Sequence, residues 1–169
     1  ASVPLNLAVM DTLIPWERLR NEPELFPERD RLGHYATSSE RDANSDFLNR
    51  HFHVVAGNPP YIAPRDAGKR DDYRTFWPGS AWGKYGLSAP FMERFFSLAV
   101  HDGYVGQITA TSFMKRSFGR QLVQETLPNL DLTDVVDCSG ASIPGFGLPT
   151  VILFGRNRPP GPGLVRAVL

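Results

Sequence analysis

The sequence predicts an α/β fold: half of a doubly wound sheet, mainly parallel, with a reversed last strand and helices on the faces. Three observations carry this expectation. Short apolar runs rich in β-branched residues occur at 52–57, 104–110, 132–137 and 150–155. Stretches with helical spacing separate the first three of them. The last two are joined only by Ser139 to Pro149, a connection with Gly and Pro and no room for a crossover helix, which favours antiparallel pairing there.

The elements follow in order. Residues 1–50 are dense in charge and proline, with amphipathic fragments around Leu5 to Met10 and Ile14 to Leu19 and a polar helix-like stretch from Ser39 to Arg50. They read as a helical or irregular lead-in. Phe52 to Gly57 suits a buried strand, and Pro59 to Ala81 a long polar loop. Its length, with Tyr73, Phe76, Trp77 and nearby Trp82 among charges, makes it a candidate lid or binding loop, although the same aromatics could anchor it to the domain. Ser88 is placed as an N-cap with Pro90 in the first turn, and Phe91, Met92, Phe95, Leu98 and Ala99 repeat as a core stripe up to Gly103 as the stop. Ser117 to Leu127 reads as a helix ended by Pro128. The run Pro159-Pro160-Gly161-Pro162-Gly163 looks like a linker, which gives a division into 1–50, 51–157 and 158–169.

Composition sets the bounds. The 169 residues are 41% hydrophobic, enough for one globular core. Eighteen basic and 18 acidic side chains leave a net charge of zero, so any nucleic-acid contact must be local. Basic residues do cluster twice, at Arg65, Lys69, Arg70 and Arg74, and at Lys115, Arg116 and Arg120. Either group could meet phosphates, and ordinary solvated surface explains such groups as often. The single Cys138 cannot form an internal disulfide, and no apolar stretch has the length of a membrane span, so the expectation is a cytoplasmic protein without membrane contact. His51 and His53 share a strand face but lack a third ligand nearby, and no metal is expected.

The strongest chemical signal is Asn58-Pro59-Pro60-Tyr61, directly after the first apolar run. A planar amino group is a poor nucleophile because its lone pair is delocalised. Two fixed acceptors against its N–H bonds pull it toward tetrahedral geometry; the Asn58 side-chain oxygen and the Pro59 carbonyl can serve. Consecutive prolines fix their own φ angles and keep the preceding residue out of the helical region, so both acceptors are aimed in advance. Tyr61 adds an aromatic face. A bare Pro-Pro pair more often only ends a strand, but all four residues at a strand's carboxyl end, where ligands of open α/β sheets gather, point to function.

This order of elements, together with the tetrapeptide, resembles the carboxyl-terminal half of the catalytic domain of S-adenosylmethionine-dependent adenine-specific DNA methyltransferases, which makes the fold the second half of a Rossmann-like methyltransferase sheet. The likeness runs from about residue 50 to 157 and is greatest for the PglX type of bacteriophage-exclusion and phage-growth-limitation systems. Segments 57–62, 90–96, 102–110 with 112–116, and 149–157 carry it. The resemblance implies methylation of the exocyclic amino group of a flipped adenine in DNA. Asn58, Pro59 and Tyr61 would be catalytic and Pro60 would lie on the substrate side. Phe118, with Phe113 as the competitor, would stack on the free face of the base. It implies S-adenosyl-L-methionine as cofactor, touched by Asn58 and Pro59, and DNA as partner, with other phage-defence proteins as further partners.

No glycine-rich cofactor turn precedes the tetrapeptide; Gly33 stands alone there, and Gly145 and Gly147 lie on the wrong side of it. The chain is therefore expected to be a piece of a longer protein that does not hold the cofactor fully by itself. Asp71, Asp72, Asp134 and Asp137 could be general bases, yet amine methylation needs little base. The rival readings are a methyltransferase acting on a protein glutamine amide, which calls for the same tetrapeptide, and a non-catalytic interaction module.

Overall fold

The computed structural model describes residues 10–21, 39, 44, 50–140 and 147–169. The chain divides into two compact units, Ala1–Arg50 and His51–Leu169. In the first, helix α1 spans Trp16–Asn21. The Asp11 carboxylate accepts a hydrogen bond from the Leu13 N–H (3.1 Å), and the Trp16 indole N–H donates to the Asp11 carbonyl (3.1 Å). Leu13, Ile14, Trp16 and Leu19 are buried, so the Ile14–Leu19 fragment contributes core and is more than a lead-in. The Leu5–Met10 fragment, the Ser39–Arg50 stretch and Gly33 fall wholly or largely outside the described residues.

The second unit is built on a five-stranded sheet of order β1-β2-β4-β3-β5. Its strands are β1 (Phe52–Gly57), β2 (Ala99–Ala110), β3 (Asp131–Asp137), β4 (Thr150–Arg156) and β5 (Arg166–Val168). β1 and β2 are parallel, β4 is antiparallel to both β2 and β3, and β5 is parallel to β3. Four strands thus share one direction and β4 alone is reversed. The mixed sheet and the antiparallel pairing of β3 with β4 agree with the sequence reading, although 141–146 of their connection lies outside the described residues.

Helix α2 (Ala67–Phe76) replaces the expected loop at 59–81. Its cap is local chemistry: the Asp66 carboxylate accepts from the Lys69 N–H at 2.8 Å. Tyr73, Phe76 and the following Trp77 are buried, so these aromatics anchor the segment, while Trp82 stays exposed. Polar spacing on the outer face of this short helix concealed it.

Helix α3 (Ser88–Leu98) begins one residue earlier than a Ser88 cap requires; Leu87 holds the cap position and makes no side-chain bond. Phe95, Phe96, Ala99 and Val105 form the core against which Val55, Phe91 and Leu132 pack, and Met92 is also buried. The stop is not Gly103, because the chain turns extended at Ala99 and enters β2 directly. There the register slips between Phe52 and Val54, and Asp102 adopts a left-handed φ of 68°. Gly103 belongs to this irregularity: a Cβ on it would lie 2.9 Å from the Val100 carbonyl oxygen and 3.0 Å from that of Phe52.

The expected helix at 117–127 is a series of short turns. Helix α4 covers only Ser112–Lys115, and 3-10 or π-type turns follow at Ser117–Gly119, Leu122–Thr126 and Leu127–Asn129. Residues 158–169 are not all linker either, since β5 adds Arg166–Val168 to the sheet edge and Arg166 pairs with Asp134.

One further correction bears on the site. Among the described residues β1 has β2 as its only neighbour in the sheet, and His53, Val54 and Ala56 are exposed. An apolar run signals a strand covered on both sides; here Val54, Tyr104 and Phe154 share the face opposite α3 and stay open.

A candidate active site at the carboxyl end of β1 and β2

β1 ends against α3 so closely that only glycine fits: a Cβ on Gly57 would stand 2.8 Å from Phe95 Cζ. The chain then leaves the sheet through Asn58-Pro59-Pro60. Pro59 is buried and fixes the bend, whereas Asn58 and Pro60 are exposed and Tyr61 is half-buried. The Tyr61 hydroxyl donates a 2.6 Å hydrogen bond to Asn58 Oδ1. That bond fixes which way the carboxamide faces, and it leaves Oδ1 one lone pair for another donor. Burial raises the Tyr61 pKa, so its hydroxyl remains a proton donor across the neutral range. The Pro59 carbonyl accepts no hydrogen bond among the described residues.

A second segment buttresses this bend. The Leu87 N–H donates to the Ile62 carbonyl (2.9 Å), and a Cβ on Gly86 would come within 3.2 Å of the Tyr61 carbonyl oxygen. The buried Tyr85 donates through its hydroxyl to the Arg70 carbonyl (3.0 Å), while Arg74 donates to the Gly83 carbonyl (2.8 Å) and lies over the Tyr85 ring. Helix α2 is therefore a bracket for residues 83–87. Gly83 adopts a left-handed φ of 61°, and a Cβ there would touch Phe118 at 3.8 Å. Four residues thus link Tyr61 at one end to Phe118 at the other.

Phe118 and Phe113 are both buried, Phe118 the less so at 9% exposure against 4%. Their shared segment is a closed turn: a Cβ on Gly119 would overlap the Phe113 carbonyl oxygen at 1.8 Å. The tetrapeptide, the 83–87 segment and Phe118 come together at one sheet edge. Asp71, Asp72, Asp134 and Asp137 do not join them: the first two lie on α2, and the last two are held by local partners. Thr133 and Arg166 lower the Asp134 pKa, and Ser139 chiefly lowers that of Asp137. Among the described residues no three His, Cys, Asp or Glu side chains gather as a metal site, and no helix is long and apolar enough to cross a membrane.

Two groups at this edge escaped the sequence reading. Gln107 is the β2 partner of Gly57 and is buried; its Nε2 donates to the Ser88 carbonyl (2.8 Å), and its Oε1 has no partner. Thr109, two residues on and fully buried, has an unpartnered hydroxyl. These are the two buried side-chain polar atoms left unsatisfied among the described residues. A polar side chain between Val105 and Ile108 in a strand was the available signal.

Residues 11–143 match the Eco57I restriction-modification methylase family. The adenine-specific methyltransferase PglX of Streptomyces coelicolor is 43% identical over 170 residues, which covers 92% of this chain and 14% of PglX. In the solved complex of DrdV with DNA, DrdV has a similar fold, with a TM-score of 0.59 at 16% identity over 89% of this chain and 17% of that one. A class I S-adenosylmethionine-dependent methyltransferase from Listeria monocytogenes gives a TM-score of 0.55 at 13% identity, covering 70% of this chain and 37% of its own. Each of these relatives is therefore much longer than the matched part. With a family match over most of its length and a close relative spanning nearly all of it, the chain belongs to the Eco57I restriction-modification methylase family.

Proposed function

We propose that this chain carries the substrate side of an enzyme that methylates the exocyclic amino group of adenine in DNA, within a longer phage-defence or restriction-modification protein. The carrying observation is the exposed Asn58 carboxamide, set at the strand end by two prolines and held in orientation by the Tyr61 hydroxyl at 2.6 Å. The free lone pair of Asn58 Oδ1 and the Pro59 carbonyl take the two N–H bonds of the amine. That arrangement would withdraw the nitrogen lone pair from the ring as the new N–C bond forms and the methyl–sulfur bond of the donor breaks, its electron pair leaving on the sulfur, and the nitrogen would then shed its proton to water. Positioning and fixed dipoles do this work, without a covalent enzyme intermediate.

The name of its relative PglX supports adenine as the target. The family's cofactor, S-adenosylmethionine, supplies an electrophilic methyl group. The residues here fit its reacting end only, since Asn58 and Pro59 face the transfer while β1, the outer strand, offers no glycine-rich turn for the remainder. Tyr61 provides one aromatic wall, and Phe118, next to Gly83, is the preferred second one over Phe113.

The test is methyl transfer to DNA by the parent protein carrying Asn58→Ala. We expect a loss of about two to three orders of magnitude, the scale of removing one preorganised polar group from a transition state. Methylation at the parental rate would refute the assignment. Incorporation into protein glutamine instead of DNA would move it to the rival amide substrate.

A further inference from the structure

The two basic clusters of the sequence differ once their partners are known. On α2, Arg70 donates to the Pro64 carbonyl (3.2 Å), and Arg74 is bound to Asp71 (3.0 Å) and to the Gly83 carbonyl (2.8 Å). The Arg74 guanidinium is occupied in holding the 83–87 segment, and that of Arg70 in holding Pro64. After β2 the situation is the opposite. Met114, Lys115, Arg116 and Ser117 are all exposed, between the buried Phe113 and Phe118. The close approach of Gly119 to the Phe113 carbonyl oxygen, which leaves no room for a Cβ, brings the two ends of this exposed stretch together. Neither Lys115 nor Arg116 makes an ion pair or a side-chain hydrogen bond among the described residues. The carboxylate closest in influence to Lys115, Asp137, is already engaged by the Ser139 N–H at 2.7 Å. Arg120, also exposed, bonds only to the neutral Gln124 (3.0 Å).

From this juxtaposition we infer that the 114–117 turn is a phosphate-contacting edge for the DNA backbone, with Lys115 and Arg116 as its contacts and Arg120 behind them. The inference rests on the proposed adenine substrate and names where the duplex is gripped. The turn follows the carboxyl end of β2, the same sheet edge that carries Asn58, and Phe118 ties it through Gly83 and Gly86 to Tyr61. A base drawn out of a duplex toward Asn58 brings its flanking phosphates to that rim. Cations on a closed turn meet phosphates without first breaking ion pairs, whereas Arg74 would have to abandon its pair with Asp71 and Arg70 its hydrogen bond to Pro64.

The test measures binding of the parent protein to a fluorescently labelled duplex of mixed sequence as a function of salt. For Lys115→Gln with Arg116→Gln, the log–log slope should fall in magnitude by about 2, since each phosphate contact contributes roughly 0.9. Lys115→Arg with Arg116→Lys keeps both charges and should keep the slope. Arg74→Gln should leave the slope unchanged and lower the melting temperature. An unaltered slope in the Gln double variant overturns the phosphate edge. Asn58→Ala separates this result from the proposed chemistry: it should lose methylation and retain the parental slope. If the parent protein does not bind duplex at low salt, the DNA assignment itself fails.

Discussion

The two ends of the interior strand β2 are treated in opposite ways. At its amino end every charged side chain is bound to another part of the fold. Asp102 pairs with Arg156 (3.3 Å) and Arg158 (3.1 Å), and Arg158 also reaches Asp131. The Asn157 carboxamide donates to the Ala99 carbonyl (2.7 Å), and its backbone exchanges hydrogen bonds with Gly103 and Asp102. Arg156 lies over the Tyr104 ring at 4.9 Å. At the carboxyl end the reverse holds: Gln107 and Thr109 keep unpartnered polar atoms in buried positions, and Lys115 and Arg116 make no salt bridge among the described residues. Proteins normally satisfy buried polar groups. The difference teaches that one end is a clasp and the other has been kept available for something that arrives from outside.

The sharpest way to break this comparison is Gln107→Leu in the parent protein. If the Oε1 acceptor serves the site, methylation should fall about tenfold or more, while the melting temperature shifts by only a few degrees, because one hydrogen bond worth roughly 1 kcal/mol is exchanged for relief of an unpaired group. A more stable protein with full activity would make Gln107 a mere packing defect. At the clasp, the effect should lie in stability alone. Asp102→Ala loses two guanidinium partners while keeping a Cβ in left-handed backbone, at a cost of about 1–2 kcal/mol. Asp102→Gly loses the same partners but releases that backbone, and should recover about half of the deficit in a denaturant titration. Equal costs for the two would show that the pairing dominates over the backbone. Either variant should leave methylation by the folded protein unchanged.

The smallest effect concerns the bracket. Burial pushes the Tyr85 pKa up to about 12, although Arg74 and Arg70 pull it down. A group whose folded pKa is raised above its ordinary value of 10 contributes stability that is complete below pH 10 and is lost as pH rises toward 12. Tyr85→Phe should therefore flatten the alkaline fall in melting temperature between pH 10 and 12. An identical alkaline limb in both proteins would place the sensitivity elsewhere.

Much of this was legible in the sequence because the signals were local. Val54-Val55, Ile108 and Val151-Ile152 mark strands by their side chains, and the absence of a helix between β3 and β4 follows from Gly and Pro within a short connection. Asn58 to Tyr61 could be located because prolines dictate backbone geometry without help from the rest of the fold. The misses share a cause in contacts distant in sequence. Helix α2 depends on burying Tyr73 and Phe76 beneath a polar exterior, and β5 depends on an edge offered by β3. The exposure of β1 depends on neighbours rather than on its own composition. Likewise, nothing in the string of residues distinguishes the occupied Arg74 from Arg116, whose side chain makes no hydrogen bond or ion pair among the described residues.

The position of β1 on the rim has a dynamic corollary. Among the described residues the strand that leads into Asn58 is joined to the sheet by one ladder, so thermal fraying of that ladder disturbs the acceptors before the interior melts, even with the bend beyond it braced by residues 86–87. Amide protons of 52–57 should exchange on the timescale of this opening, and those of β2 and β4, each flanked on both sides, only on that of global unfolding. The orientation of the residue 58 carboxamide is thus tied to the order of an outer strand, and on the proposed chemistry any polypeptide that braces that rim would tune the rate of transfer.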